Sequence, residues 1–259
     1  MVVGRSNETL KAIRRLRRRQ GDHALLEGPH LIAEALATGL EPESVLATPG
    51  FAASASGRSL LRRLRRPPLL VDDARLAELA DSDAPRGVLA LARLPRTGPS
   101  ELALGGSSLV LFLDGVQEPG NVGALARVAE AFGATALALA PGCAHPNHPR
   151  ALRASAGSLL RLPIAVEATI GALDLRLLPH DPLWVALAAH GGEPPGAHGD
   201  TRPLVLALGA EGPGLSSAVE QRCALRWTIP LAGGVESLNV AVAAGVALFA
   251  LAAARGRRP

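Results

Sequence analysis

From Leu109 onward the chain alternates short, almost uninterrupted apolar runs with helix-length segments. The candidate strands cover residues 109–113, 136–140, 162–166, 183–187, 204–208 and 226–229. A strand with one solvated face alternates apolar and polar residues, whereas a strand that is apolar throughout must be covered on both faces. Strands of the second kind, separated by helices, predict an α/β fold built on a mostly parallel sheet. Ligands of such sheets bind beyond the C-terminal strand ends, so the turns that follow the strands are where function is sought.

The first 95 residues read as a separate small αβ domain. Leu10, Ile13 and Leu16 recur at helical spacing, with Arg14, Arg15, Arg17, Arg18 and Arg19 on the other faces. A strand over 24–26 ends at Glu27-Gly28, and Pro29 suits the first turn of a helix carrying Leu31, Ile32 and Leu36. A strand at 45–46 precedes a second basic helix with Arg58, Arg62, Arg63, Arg65 and Arg66, stopped by Pro67-Pro68. A strand at 69–71, an Asp-started helix to about Ala80 and a strand over 88–92 complete it. Residues 96–108 form a linker of Pro, Gly, Ser and Thr without periodicity, and 109–259 form the second domain. The polar, Gly- and Pro-rich stretch 194–203 is expected to be mobile.

Composition narrows the function classes. The 27 basic residues are all Arg apart from Lys11, and the net charge of +4 favours an anionic partner. Genome bias towards Arg and Ala accounts for the same composition. Aromatics make up 2% of the chain, too few for a base-stacking RNA platform. Cys143 and Cys223 lack a second soft ligand at metal spacing, so no metal site is expected and both read as small buried residues. The most apolar stretch, 240–254, is shorter than the roughly 20 residues of a membrane span. With a charged segment directly after Met1–Gly4, the chain is expected to be cytoplasmic.

Three turns after strands carry polar groups. Leu113-Asp-Gly-Val-Gln-Glu-Pro-Gly-Asn-Val-Gly-Ala-Leu-Ala-Arg127 ends a strand and opens a helix with Asn121, suited to the cap, and Arg127. Those two stand about 600° apart on an ideal helix. Taken alone, this motif reads better as a capped helix with an Arg paired to a carboxylate. Leu206-Ala-Leu-Gly-Ala-Glu-Gly-Pro-Gly214 surrounds Glu211 with glycines that let a ligand approach main chain. A solvated Glu in an ordinary turn is the plain alternative. Ile229-Pro-Leu-Ala-Gly-Gly-Val-Glu-Ser-Leu-Asn239 opens a long small-residue helix with Ser237 as the expected N-cap. Capping alone does not account for Asn239, because an amide in an apolar helical start needs partners.

Together, and in this order, the three motifs resemble the signature of the SpoU (TrmH-like) RNA 2'-O-methyltransferases of the SPOUT superfamily. The resemblance runs from Leu109 to about Ala254. Arg153-Ala-Ser-Ala-Gly157 resembles the family's Ser-Ala-Gly segment. Glu27-Gly28-Pro29 and Pro85-Arg-Gly-Val88 look like its N-terminal substrate-binding domain, a small αβ domain of the ribosomal-protein-L30e-like kind. The resemblance implies a C-terminal α/β trefoil-knot domain with a mostly parallel sheet, and a homodimer with the active site near the subunit interface. It implies S-adenosyl-L-methionine as cofactor and RNA as partner, ribosomal RNA first and transfer RNA second. By matching position it assigns catalysis to Asn121, Arg127, Glu211 and Asn239. Cofactor binding falls to Leu208, Gly209, Gly214, Ile229, Ser237 and Leu238. Gln117-Glu118-Pro119 stands where many members have Asp before Pro, and Leu231 where Met is common; neither change removes a catalytic group.

A guanidinium does not normally deprotonate, so Arg127 is expected to clamp a phosphate beside the reacting hydroxyl rather than act as base. A side chain on Gly209 is expected to exclude the adenosyl group and leave the fold intact. Two other classes compete. A nucleotide-dependent oxidoreductase or transferase on a doubly wound sheet is opposed by Gly115, Gly120 and Gly123, whose spacing is not GxGxxG. A non-enzymatic RNA-binding protein is opposed by the intact Asn121, Arg127, Glu211 and Asn239.

Overall fold

The computed structural model describes residues 8–16, 21–196 and 202–255. Arg17, Arg18 and Arg19 of the first basic helix, and residues 197–201 of the polar stretch expected to be mobile, lie outside the described residues. Two compact units form: Met1–Pro95 with His145–Arg161, and Arg96–Ala144 with Leu162–Pro259.

In the first unit the chain runs α1 (Glu8–Leu16), β1 (His23–Glu27), α2 (Pro29–Ala37), β2 (Ser44–Ala47), α3 (Pro49–Ala53), α4 (Ala55–Leu61), β3 (Leu69–Leu70), α5 (Asp73–Leu79) and β4 (Val88–Arg93). β4 pairs antiparallel with β1 and β2, and β3 adds parallel to β2. Leu10 and Ile13 of α1 pack with Leu25, Leu46, Leu76, Leu79 and Leu89 in one core. The expected basic helix is shorter than its spacing suggests. Ser54 ends α3 and caps α4 through its Oγ, which accepts from Gly57 N at 2.9 Å. Beyond Leu61 the Arg63 and Leu64 amides bond back only three residues, to Leu60 and Leu61, so the helix tightens into a turn. Arg62, Arg63, Arg65 and Arg66 are therefore exposed on a turn, not on a helical face.

The second unit contains β5 (Leu109–Asp114), α6 (Pro119–Ala131) and β6 (Ala136–Leu139). The next two helices, α7 (Pro149–Ala154) and α8 (Ser158–Arg161), belong to the first unit. β7 (Ile164–Ala165), α9 (Ile170–Leu177), β8 (Leu183–Leu187), β9 (Leu204–Gly209), α10 (Ser217–Arg222), β10 (Leu225–Trp227) and α11 (Val240–Ala254) follow. The six strands form one parallel sheet in the order β10-β8-β9-β5-β6-β7. β5, β6 and β9 are buried along nearly their whole length, as strands covered on both faces must be. Phe112 meets Trp184 edge-on at 5.4 Å within the core. The stretch 96–108 carries a short 3₁₀ turn at Pro99–Glu101, and Thr97 bridges to Ala165.

Register places the functional edge. Asp114 of β5 stands opposite Gly209 of β9, and Leu208 of β9 opposite Leu187 of β8. The three strands thus end together, and the turns after them gather at one edge. Among the described residues no helix is long and apolar enough to cross a membrane.

Candidate active site

The turn after β9 is built for a tight reversal. Ala210 and Gly214 exchange two backbone hydrogen bonds of 3.0 Å each, and Gly212 and Gly214 take φ values of 90° and 75° that glycine alone adopts freely. Asp114, at the end of the neighbouring strand, accepts from Ser216 N at 2.6 Å. That bond pins the far end of the turn and leaves Glu211 exposed at its tip.

Three side chains from separate motifs meet there. Asn121 Nδ2 donates to Glu211 Oε1 at 2.5 Å. Asn239 Nδ2 donates to Asn121 Oδ1 at 3.0 Å and to Glu211 Oε1 at 3.4 Å. Asn239 Oδ1 accepts from Ala241 N and Val242 N at 3.0 and 3.4 Å. One amide therefore caps α11 and, through its nitrogen, orients Asn121 and Glu211. Both amide orientations follow from this chain of donors and acceptors, and Glu211 Oε2 has no partner among the described residues.

Both expected caps fall elsewhere. α6 is capped by Glu118, whose carboxylate accepts from Gly120 N at 3.4 Å, with Pro119 in the first turn. Asn121 is inside the helix, which frees its side chain for Glu211. α11 is capped by Asn239, two residues past Ser237, because an Asn side chain there reaches both orphan amides. Arg127 stands outside the hydrogen-bonded group, about 9 Å further along α6 and on a different face. It is exposed.

Beside the cluster, and sharing Glu211 with it, lies a cavity of about 480 Å³ at the ends of β8 and β9. Leu208, Gly209, Gly214, Ile229, Ser237 and Leu238 all line it. So do Leu187 at the end of β8 and Ala188, Ala189 and His190 after it, which the three motifs do not include. The signal for them was position: they follow a strand whose C-terminus ends level with β9. Glu220 and Glu236 add carboxylates to the wall.

Gly209 does not behave as expected. A Cβ on it would stand 2.2 Å from Gly214 C and 2.4 Å from Leu215 N. A side chain there would force the turn apart before it met any ligand, so its substitution cannot separate binding from folding. The two cysteines are half-buried. Burial pushes the Cys143 thiol up, and it donates to Leu113 O at 3.2 Å; burial pushes Cys223 up to about 11. Both are protonated at neutral pH. Among the described residues no group of three His, Cys, Asp or Glu side chains could hold a metal ion.

The cavity's construction suits S-adenosylmethionine. Its size falls in the range of small-molecule sites. Leu187, Leu208, Ile229 and Leu238 offer apolar surface to a purine, while strand-end main chain and carboxylates offer partners to its amine and hydroxyls.

Known proteins resemble this chain along both units. The SpoU rRNA Methylase family matches residues 108–249, and the MRM3-like substrate binding domain matches residues 7–90. A Synechocystis protein named as an uncharacterized tRNA/rRNA methyltransferase is 32% identical over 96% of this chain and 92% of its own length. The 23S rRNA (guanosine-2'-O-)-methyltransferase RlmB of Ralstonia nicotianae is 36% identical over 69% of this chain and 73% of its own. The SpoU methyltransferase AviRb of Streptomyces viridochromogenes, solved with AdoMet, superposes with a TM-score of 0.85 at 29% identity, covering 97% of this chain and 98% of that one.

Proposed function

The chain belongs to the SpoU rRNA methylase family, and from that premise we propose that it methylates a ribose 2'-hydroxyl of ribosomal RNA with S-adenosylmethionine, in the cytoplasm where that RNA is assembled. The observation that carries the reading is the convergence of Asn121, Glu211 and Asn239 beside the strand-end cavity. RlmB relatives and the 23S rRNA methyltransferase RlmP of Bacillus subtilis support ribosomal over transfer RNA.

Leu208, Gly209, Gly214, Ile229, Ser237 and Leu238 would hold the adenosyl part, largely by main chain and apolar contact. The cofactor supplies an electrophilic methyl group on a sulfonium. Glu211, oriented by the two amides, accepts a hydrogen bond from the incoming ribose or the cofactor's amine. Asn121 and Asn239 hold that carboxylate in one rotamer, so little reorganisation is needed on binding. Arg127 clamps the adjoining phosphate and aligns the hydroxyl for attack. The hydroxyl proton leaves to phosphate or water. The exposed Arg62, Arg63, Arg65 and Arg66 of the first unit supply phosphate contacts, so RNA affinity falls steeply with added salt.

The reading includes a trefoil knot and a homodimer. In support of the knot, the chain leaves edge strand β10 and returns to pack α11 against α6 beside β8 and β9. In support of the dimer, α11 carries an exposed apolar stripe of Val242, Val246 and Phe249 at helical spacing. Phe249→Asp should convert a dimer to a monomer in sedimentation velocity; an unchanged dimer would move the interface elsewhere. The function itself is tested by mapping 2'-O-methyl groups in ribosomal and transfer RNA from cells with and without the protein. Loss of one ribosomal RNA site is expected. An unaltered ribosomal RNA map with a lost transfer RNA site would reassign the substrate.

A further inference from the structure

The segment Arg153-Ala-Ser-Ala-Gly157 plays no part in the site above. It lies in α7 and the break after it, and it packs in the first unit. Arg153 forks between two carboxylates there. Its Nη1 donates to Glu27 Oε2 and its Nη2 to Asp81 Oδ2, each at 2.8 Å. The Glu27 side chain is 4% exposed and also accepts from the backbone amides of Asp81 and Ser82. Among the described residues, the other bonds to that carboxylate come from backbone N–H groups and Arg153 is the cation paired with it.

Two more ties flank the fork. Buried Asn147 donates through Nδ2 to Gly21 O and Leu94 O, both at 2.8 Å, so it ties the chain entering β1 to the chain leaving β4 at one end of the pair. Arg161 pairs with Glu34 of α2. Gly157, at φ 94°, makes the reversal between α7 and α8; a Cβ there would stand 2.7 Å from Arg161 Nη1 and 3.0 Å from Glu34 Cγ. Every one of these ties joins residues 145–161 to residues before 95.

We propose that residues 145–161 are a clasp that completes the substrate-binding unit, with Arg153 as its positioning residue. The RNA-binding unit is then discontinuous in sequence. It reaches its working shape only when the methyltransferase half of the chain supplies Arg153 to neutralise Glu27. Removing Arg153 leaves a buried carboxylate without its counter-charge, which costs far more than removing both partners. That the unit binds RNA rests on the function proposed above; the clasp does not.

The test uses the full-length chain as Arg153→Met and as the double variant Arg153→Met/Glu27→Gln. Amide hydrogen exchange is followed at Leu25, Leu26 and Ser82, alongside KM for ribosomal RNA fragments, kcat and affinity for S-adenosylhomocysteine. In Arg153→Met, exchange at those amides should rise at least tenfold and the RNA KM at least tenfold. Affinity for S-adenosylhomocysteine should stay within twofold, because no clasp residue lines the cofactor cavity. The double variant should recover at least threefold in exchange at Leu25 and Leu26, since Gln Oε1 still accepts from Asp81 N and no charge is stranded. Unchanged exchange in Arg153→Met, or no recovery in the double variant, overturns the clasp. Faster exchange with an unaltered RNA KM upholds the clasp and instead removes this unit from RNA binding.

Discussion

Arg153 and Arg127 both stand on helices of small residues, and the structure treats them in opposite ways. Arg153 has its guanidinium shared between Glu27 and Asp81, with its side chain 31% exposed. Arg127 is exposed and is in no ion pair among the described residues. Their carboxylate counterparts differ in the same sense. Glu27 is saturated by a cation and two backbone amides out of solvent, so it has nothing left to offer a ligand. Glu211 is held at an exposed tip by two neutral amides, with one oxygen to spare. A satisfied ionic group stabilises a fold. A group oriented but unsatisfied is what a reacting molecule meets.

The hardest test of that contrast is Arg127→Ala. A cation with no structural partner can be removed without stranding a charge, so melting temperature should hold. If Arg127 clamps the substrate phosphate, single-turnover methyl transfer should fall by roughly a hundredfold or more. Affinity for S-adenosylhomocysteine should stay within a few-fold, because Arg127 does not line the cavity. Retained turnover would remove Arg127 from the catalytic group.

The middling effect belongs to Asp114, which does not line the cavity but holds Ser216 N and with it the Glu211 turn. Asp114→Ala should weaken S-adenosylhomocysteine binding by about tenfold, or roughly 1.4 kcal/mol. Asp114→Asn keeps an acceptor at the same place and should stay within threefold. Titration calorimetry of both distinguishes them. Equal losses would mean that the charge, not the hydrogen bond, matters.

The parallel sheet was legible because apolar runs over the strands leave no other way to hide both faces. The strand-end turns were legible for the same reason: the rule about ligand position needs only strand direction. Side-chain partnership was not. Asn121 reads as a cap from its place after Pro-Gly, yet Glu118 takes the cap and Asn121 turns to a residue 90 positions away. Gly209 reads as room for a ligand, yet the space beside it is filled by Gly214. Helical spacing likewise made one long basic helix out of α4 and the turn that follows, since Arg is tolerated in either. The first is decided by a contact distant in sequence, and the other two by tight backbone geometry within a few residues; residue spacing specifies neither.

The smallest expected effect separates the two jobs of Asn239. Ser237, the stronger candidate from sequence, does not cap α11, so Ser237→Ala should change stability by no more than about 0.5 kcal/mol. Asn239→Ala removes the acceptor for Ala241 N and Val242 N and should cost about 1 kcal/mol. Asn239→Ser is the informative variant. A serine hydroxyl caps as well as an asparagine, so stability should return to within a few tenths of a kcal/mol of the parent. Serine has no amide nitrogen to reach Asn121 Oδ1 and Glu211 Oε1, so the carboxylate loses one of its two restraints. Methyl transfer should then remain impaired in a protein that melts normally. If Asn239→Ser instead recovers activity together with stability, the Asn239 amide serves the helix alone, and Glu211 is oriented by Asn121 without it.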